Sequence, residues 1–435
     1  MGLRKLIRKT SWYKNYQAKK ESKMSDEEYF IYRHKKIFGY TPDFKNPQTF
    51  NEKIIHRILF DRNPIYTALA DKLKARIYIA TILKDFNANN TLDSNKDANT
   101  LVSHTNHITH ITTGGGGKYS LNQNNTDLQN NPTLNTTTSI TPQTQHKENE
   151  SINSTSICHT EPLGEVSKTL ESKQDLNKDF SPFSKAQNDK NLNSLLTKDS
   201  LLFQPIDTLT QELFNTNECQ YLPKLYGIYK SVDEIDFSKL PQSFVLKTNH
   251  DCGGVVLVKD KESFLKDSKT FNEAMTKLTQ HLNTNFYTLY REWHYKDIEP
   301  RIFVEEMLLE TNANGEAKVP SDYKIHCFGK TQYIQVDTDR FVEHTRSVFD
   351  ENWNVMPFSL CYPQSTMPPS KPLNLMTMLM IATRLSMPFA MLRVDLYNIQ
   401  GKIIVGELTF THGGGTERFT PNEWDRKLGD LWKLS

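Results

Sequence analysis

Two carboxylates, Asp395 and Glu407, each interrupt an otherwise apolar run within the segment Met391 to Gly415. The runs are rich in Val, Ile, Leu and Tyr. They flank a turn of Asn398, Ile399, Gln400 and Gly401, which predicts a β-hairpin. A lone acid in a buried strand is costly without a partner. Two of them on neighbouring strands suggest a shared cation, and paired hard oxygen ligands suit Mg²⁺ with nucleotide phosphates completing its shell. The triplet Gly413-Gly-Gly415 follows directly, so backbone N–H groups can approach an anion closely. Metal ligands, anion loop and strands in one segment point to chemistry on MgATP.

Three further motifs carry chemical content. In Phe244 to Val258, two apolar runs bracket a loop containing Gly253 and Gly254, with Lys247 near the end of the first. Such a loop can fold over phosphates, and Lys247 can neutralise them as a point charge. Arg301 to Leu308 reads as a buried strand ending in Glu305 and Glu306, then Met307 and Leu308. A strand end of this kind can offer backbone polar groups to an adenine edge while Met and Leu cover its faces. Charges also interrupt the strand-like runs from Ser321 to Phe328 and from Tyr333 to Arg340. There Lys324 can contact a transferred phosphate, and Asp337, Asp339 and Arg340 can line an acceptor site. Taken singly, each motif reads equally as an ordinary hairpin or a solvated strand end.

The elements that must position these residues are unevenly spread. The chain has 435 residues and a net charge of +2, so no strong field favours nucleic acid. Five cysteines (158, 219, 252, 327 and 361) lack metal-type spacing and read as free thiols of a reducing, cytoplasmic compartment. No run approaches the length of a transmembrane helix, and the N-terminus has no secretory apolar core. Met1-Gly2 opens like a myristoylation site, but Leu6 stands where Ser or Thr is wanted. Residues 3–23 are basic (Arg4, Lys5, Arg8, Lys9, Lys14, Lys19, Lys20 and Lys23), which suits a solvated helix or a peripheral contact with anionic lipid.

Asn63-Pro64 predicts a helix start, and Ile65, Leu69, Leu73 and Ile77 mark one buried face of a helix reaching about Leu83. From about 86 to 212 the chain is crowded with Asn, Thr, Ser, Gln, Asp and Lys and is poor in aromatics. Such a segment cannot bury enough apolar surface to offset its ordering entropy, so it predicts a disordered insertion. His104, His107 and His110 within it read as a chance cluster rather than a metal tract. The methionine-rich run Asn374 to Ser386 predicts a core helix ending before Pro388.

Together the motifs resemble the ATP-grasp superfamily, and more narrowly its TupA-like branch associated with polysaccharide biosynthesis. The matching phrases begin with Asn46-Pro-Gln-Thr-Phe-Asn-Glu-Lys53, Asp61-Arg-Asn-Pro64, Phe244-Val-Leu-Lys247-Thr-Asn-His250 and Arg291-Glu-Trp293. They continue through Glu305-Glu306, Asp322-Tyr-Lys324, Gln335-Val-Asp337 and Arg393-Val-Asp395-Leu-Tyr397. They end with Gly406-Glu-Leu-Thr-Phe410, Gly413-Gly-Gly415 and Phe419-Thr-Pro-Asn-Glu-Trp424.

The resemblance implies an α+β ATP-grasp fold, two subdomains clasping ATP, with a helical N-terminal region. On that reading residues 1–85 are the basic N-terminus and helical region, 86–215 the disordered insertion and 216–435 the catalytic domain. Lys247, Gly253, Gly254, Glu305, Glu306, Met307, Leu308 and Asp322 would bind the nucleotide. Lys247, Lys324 and Arg393 would serve catalysis, and Asp395 and Glu407 would hold Mg²⁺. Thr409 stands where many ATP-grasp enzymes have Asn, and a hydroxyl can still serve a metal or a phosphate.

The implied reaction joins a carboxylate, such as a uronic acid of a glycan precursor, to an amine through an acylphosphate. Phosphoryl transfer of this kind needs positioning and charge neutralisation more than a dedicated base. Two other readings stand beside it. Asp337-Thr-Asp339 after an apolar run suits a glycosyltransferase binding a metal and a nucleotide sugar, and a non-catalytic nucleotide-binding protein is the third.

Overall fold

Helix caps written in the sequence fix the N-terminal architecture of the computed structural model. It describes residues 19–86, 195–197, 199–311, 317–338 and 344–434. The elements in these residues belong to one compact unit. Helix α1 (Asp26–Phe38) starts at a capping box in which Ser25 and Glu28 bond each other's backbone, and it stops at Gly39. Helix α2 (Phe50–Leu59) uses the same device with Thr49 and Glu52. The histidine cluster, Cys158, Asp339, Arg340 and the basic residues up to Lys14 lie outside the described residues.

The helix starting at Asn63-Pro64 does not run unbroken to Leu83. It divides into α3 (Pro64–Ala70) and α4 (Lys72–Leu83) at Asp71, which has extended backbone angles. The Asp71 carboxylate caps α4 by accepting from the Leu73 amide at 3.0 Å, and it also accepts from the Asn249 side chain at 2.9 Å. Ile65, Leu69, Leu73 and Ile77 are all buried, so their periodicity survives the break and conceals it.

Secondary structure is already present before residue 216. Two 3₁₀ turns, Leu201–Phe203 and Ile206–Leu209, lead into α5 (Thr210–Asn215), with Leu202, Ile206, Leu209 and Leu213 buried. Polar composition hid these apolar anchors, which are spaced three to four residues apart.

The first sheet holds β1 (Leu225–Tyr229), β2 (Phe244–Thr248), β3 (Val255–Val258) and β4 (Ile302–Glu306). They pair antiparallel in the order β1-β4-β2-β3. Between β3 and β4 lie α6 (Lys261–Lys266), α7 (Ser268–Leu282) and α8 (Phe286–Tyr290). Ala274 and Leu278 of α7 pack with Phe244, Leu246 and Val304 in one core. A short ribbon, β5 (Glu310–Thr311) with β6 (Ala317–Lys318), follows.

The second sheet carries most of the charged residues of interest. It comprises β7 (Asp322–Phe328), β8 (Thr331–Thr338), β9 (Thr345–Phe349), β11 (Leu392–Ile399) and β12 (Lys402–Thr409). The order is β12-β11-β7-β8-β9, antiparallel throughout. The small pair β10 (Ser359–Leu360) and β13 (Phe419–Thr420) lies beside it.

Strand alternation divides this sheet into two chemically different faces. Val394, Leu396, Ile325, Cys327, Ile334 and Val336 share one face, against which α9 (Leu375–Ser386) packs its buried Met378, Ile381, Ala382 and Leu385. Arg393, Asp395, Asp322, Lys324, His326, Gln335 and Asp337 share the other. Part of that polar face is covered by α2, whose Phe50 ring lies 5.6 Å from Phe328 and 6.3 Å from His326. Helix α10 (Glu423–Leu431) and Trp432 close the core over α2.

The β11–β12 hairpin is confirmed, with a tighter turn than the sequence predicts. Asn398 and Ile399 remain in β11, and Gln400 and Gly401 alone make the turn, both with positive φ (51° and 93°).

Candidate functional site

A cleft of about 310 Å³ opens between the two sheets, with α4 as a further wall. Lys247, Gly253, Gly254, Glu305, Glu306, Met307, Leu308, Asp322, Lys324, Asp395 and Glu407 all line it. The sequence motifs thus converge from both sheets onto one cavity. Arg393 does not line it but braces Asp395 from within the sheet, Nε to Oδ1 at 2.6 Å and a second guanidinium nitrogen to Oδ2 at 2.8 Å.

Asp395 is the most heavily bonded of these groups. Besides Arg393 it accepts from the Lys324 ammonium at 2.8 Å, and Lys324 also donates to Asp322 at 2.6 Å. Burial alone would raise the Asp395 pKa, but Arg393 and Lys324 hold it well below the usual carboxylate range. Burial likewise opposes charge on Lys324, yet Asp395 and Asp322 keep its pKa above the ordinary value. Asp395, Lys324 and Arg393 are therefore ionised at neutral pH.

Glu407 is aligned with Asp395 by a bulge. Asp395 pairs with Glu407, then Leu396 pairs with Val405, so Gly406 is left out of the ladder. The two acids come to lie side by side on the same face. No hydrogen bond or ion pair engages the Glu407 side chain among the described residues. Thr409, two residues on, accepts from Arg393 at 3.0 Å. Its hydroxyl therefore helps to fix the guanidinium that holds Asp395.

At the opposite wall, Glu305 is gripped by Lys247 and faced by Arg76 at 3.6 Å. The Glu306 amide donates to the Lys224 carbonyl at 2.8 Å, so it is not free for a base edge. Met307 and Leu308 leave the strand there and line the cleft. The glycine loop between β2 and β3 folds tightly, and a side chain at Gly254 would collide with the Thr248 hydroxyl. Asp251 in this loop accepts from Thr248, bonds the His281 ring and takes the Lys72 ammonium on its backbone carbonyl.

The triplet Gly413 to Gly415 is not an open anion loop. All three have positive φ (55°, 57° and 67°), and Gly414 N–H already donates to Thr411 at 2.9 Å. A Cβ on Gly415 would stand 2.8 Å from the Asn51 carbonyl oxygen, so close packing on α2 demands glycine there.

Beside this turn lies an acid to which the sequence assigned no role. Glu292 is buried and accepts from Thr411, whose hydroxyl is also 3.3 Å from His294. Burial raises its pKa to about 7 against the opposing effects of Thr411 and Arg33, with Glu407 adding to the rise. The phrase Arg291-Glu-Trp293 was the only signal for it.

Asp337 does not line the cleft. It accepts from Arg346 at 2.6 Å, and Arg346 also donates to Glu417 at 2.8 Å. His344 stands 3.2 Å from the same carboxylate.

The model of the TupA-like ATP-grasp family matches residues 215–433, half of the chain. The chain belongs to the TupA-like ATP-grasp family. Its ATP-grasp fold accounts for the two sheets facing across the cleft. No curated protein matches the chain.

Solved structures with related folds include an L-amino acid ligase from Bacillus licheniformis, at 15% identity and a TM-score of 0.28, covering 47% of this chain and 43% of that one. A D-alanine–D-alanine ligase from Bacillus anthracis complexed with ATP is 12% identical, with a TM-score of 0.24 and coverage of 46% and 52%. A phosphoribosylamine–glycine ligase from Thermotoga maritima is 13% identical, with a TM-score of 0.27 and coverage of 46% of each chain. This chain thus spans about half the length of each of these structures.

Several cleft residues of this TupA-like ATP-grasp protein lie outside the matched segment. Lys72 and Arg76 come from α4, in a region where the sequence offered no readable chemistry. Both lie in the first turns after the break at Asp71, and an acidic residue inside an apolar periodicity was the available clue.

Proposed function

We propose that this protein is an ATP-dependent ligase that joins a carboxylate to an amine, acting on a glycan precursor in surface polysaccharide synthesis. The observation that carries the reading is the pairing of Glu407 with the braced carboxylate of Asp395, in a cleft that also holds Lys324 and Lys247.

Two hard carboxylates side by side, one of them uncommitted, fit a divalent cation whose remaining ligands are phosphate oxygens. Asp395 and Glu407 would hold Mg²⁺, which supplies charge neutralisation on the phosphates. Lys247 and Lys324 stabilise negative charge on the transferred group as point charges. Arg393 keeps Asp395 ionised and oriented, and Met307 and Leu308 offer apolar cover to the base.

In this reading a substrate carboxylate oxygen attacks the γ-phosphorus of ATP and ADP leaves. The amine then attacks the acyl carbon, phosphate departs and the amine proton passes to solvent. The glycine loop of Gly253 and Gly254 excludes water and so spares the acylphosphate. A peripheral membrane contact through the basic N-terminus remains part of the proposal. No helix among the described residues is long and apolar enough to cross a membrane.

Thermal melting with Mg²⁺ and ATP, ADP or UDP-glucose tests the reading. A ligand at 100 times its Kd adds about 2.7 kcal/mol of stability. We expect a Mg²⁺-dependent rise with ATP and ADP, absent in Glu407→Gln. A rise with UDP-glucose alone would replace ligation by glycosyl transfer.

A further inference from the structure

A second cavity, of about 220 Å³, lies apart from the cleft, between α2, α3 and the entry to β11. Among the described residues none lines both. Two opposite charges, Arg57 and Asp61, line this smaller cavity together with Asn63 and Tyr66. Ile65, Phe389, Ala390 and Leu434 add apolar wall.

Arg57 is the unusual member. It is only 2% exposed. One terminal nitrogen, Nη1, donates to the carbonyls of Met391 and Phe410, each at 3.0 Å. Its Nε has no hydrogen-bond partner. The Asp61 carboxylate stands 3.9 Å from that nitrogen, beyond hydrogen-bond length. Burial outweighs the support from Tyr66 and Asp61 and lowers the Arg57 pKa. A buried cation so weakly compensated gains from a further anion.

Asp61 offers the complementary half. Its carboxylate accepts from the Tyr66 hydroxyl at 2.7 Å and is 37% exposed, which leaves it capacity for a cation. No hydrogen bond ties it to Arg57, so a turn of this side chain opens the covered Nε edge. An anion alone would meet Asp61, and a cation alone would meet Arg57. A zwitterion satisfies both, with its carboxylate on Arg57 and its ammonium on Asp61. The apolar wall then receives an aliphatic side chain.

We propose that this cavity is a binding site for a free amino acid with a small aliphatic side chain. The site is separate from the nucleotide cleft and does not depend on the reading given for it.

Saturation-transfer NMR on the full chain tests this with L-valine, isovalerate (no ammonium), isobutylamine (no carboxylate) and methyl glucoside. We expect transfer to L-valine alone. Asp61→Asn removes the anionic partner, and Ala390→Trp fills the cavity from an exposed position. Each should weaken L-valine binding about tenfold or more. Both spare the buried Arg57, and melting curves check that each variant is folded. No transfer to L-valine overturns the proposal. Equal transfer to isovalerate or isobutylamine overturns it, because one charge would then suffice. Transfer to methyl glucoside alone would give the cavity to a sugar instead. Binding of L-valine unchanged in either variant places the amino acid elsewhere and overturns it too. The measurements are made without nucleotide, so their outcome stands whether or not ATP binds in the cleft.

Discussion

Glu407 stands opposite Asp395 on the neighbouring strand because Gly406 is left out of the β11–β12 pairing. A Cβ at position 406 would lie 2.9 Å from Cε2 of Tyr397, a ring that also lines the cleft. Gly406→Val should therefore cost about 1 to 3 kcal/mol through overpacking and move Glu407 away from its partner. The expected result is a lower melting temperature together with a smaller MgATP-induced shift. A variant with wild-type nucleotide response would show that the alignment is dispensable.

Asp395 and Glu407 should respond oppositely to neutralisation. Asp395→Asn leaves the buried Arg393 and Lys324 without their shared anion, a loss of about 3 to 5 kcal/mol. The Asp395 pKa lies below its unfolded value, so this stability is fully present above the unfolded pKa of about 3.9 and is lost only as pH falls through the folded value. Glu407→Gln removes no such partner and should stay within about 0.5 kcal/mol of wild type while abolishing the Mg²⁺-dependent nucleotide effect. Denaturant unfolding at pH 7 beside nucleotide titration separates the two.

Glu292 should make the fold less stable as pH rises. Its pKa is raised to about 7 when folded, so the unfolded chain releases its proton first. Stability is highest below the unfolded value near 4.3 and falls as pH climbs toward 7, where the folded carboxyl also ionises. Glu292→Gln should remove this slope, worth about 3 to 4 kcal/mol across that range. Parallel unfolding curves at pH 5 and pH 7.5 for both proteins give the comparison, and equal pH dependence in the two would refute the assignment.

Asp71→Ala removes the cap of α4 and a partner of Asn249 together. The cap alone predicts a loss of about 0.5 to 2 kcal/mol. Because α4 supplies Lys72 and Arg76, nucleotide affinity should fall as well. Asp71→Asn keeps an oxygen for the Leu73 amide and should recover most of the stability. Equal behaviour of the two variants would argue against the capping role.

Much of this site was legible because its residues break the pattern of the strands that hold them. Asp395, Glu407, Lys324 and Lys247 are charges inside apolar runs, and alternation places the first three on one face. The partners that complete them were not legible. Arg346 silences Asp337 from another strand, and Glu292 meets Thr411 across 119 positions of sequence. The glycine triplet misled for a related reason: left-handed turns and close packing on α2 demand glycine as strongly as an anion does. The α3–α4 break was concealed because both helices bury the same face.

Asn51 of α2 donates its amide to Asp425 of α10, a residue 374 positions later. Ile54, Ile55 and Ile58 of α2 share a core with Leu428 and Trp432, and the Arg57 guanidinium lies 4.2 Å from the Trp432 ring centre. During synthesis the first half of this core therefore leaves the ribosome long before its cover. The apolar side of α2 must wait, shielded by chaperones or by transient collapse, until Leu428 and Trp432 have emerged. The cleft, with α4 and β12 among its walls, likewise takes shape only once β12 has left the ribosome.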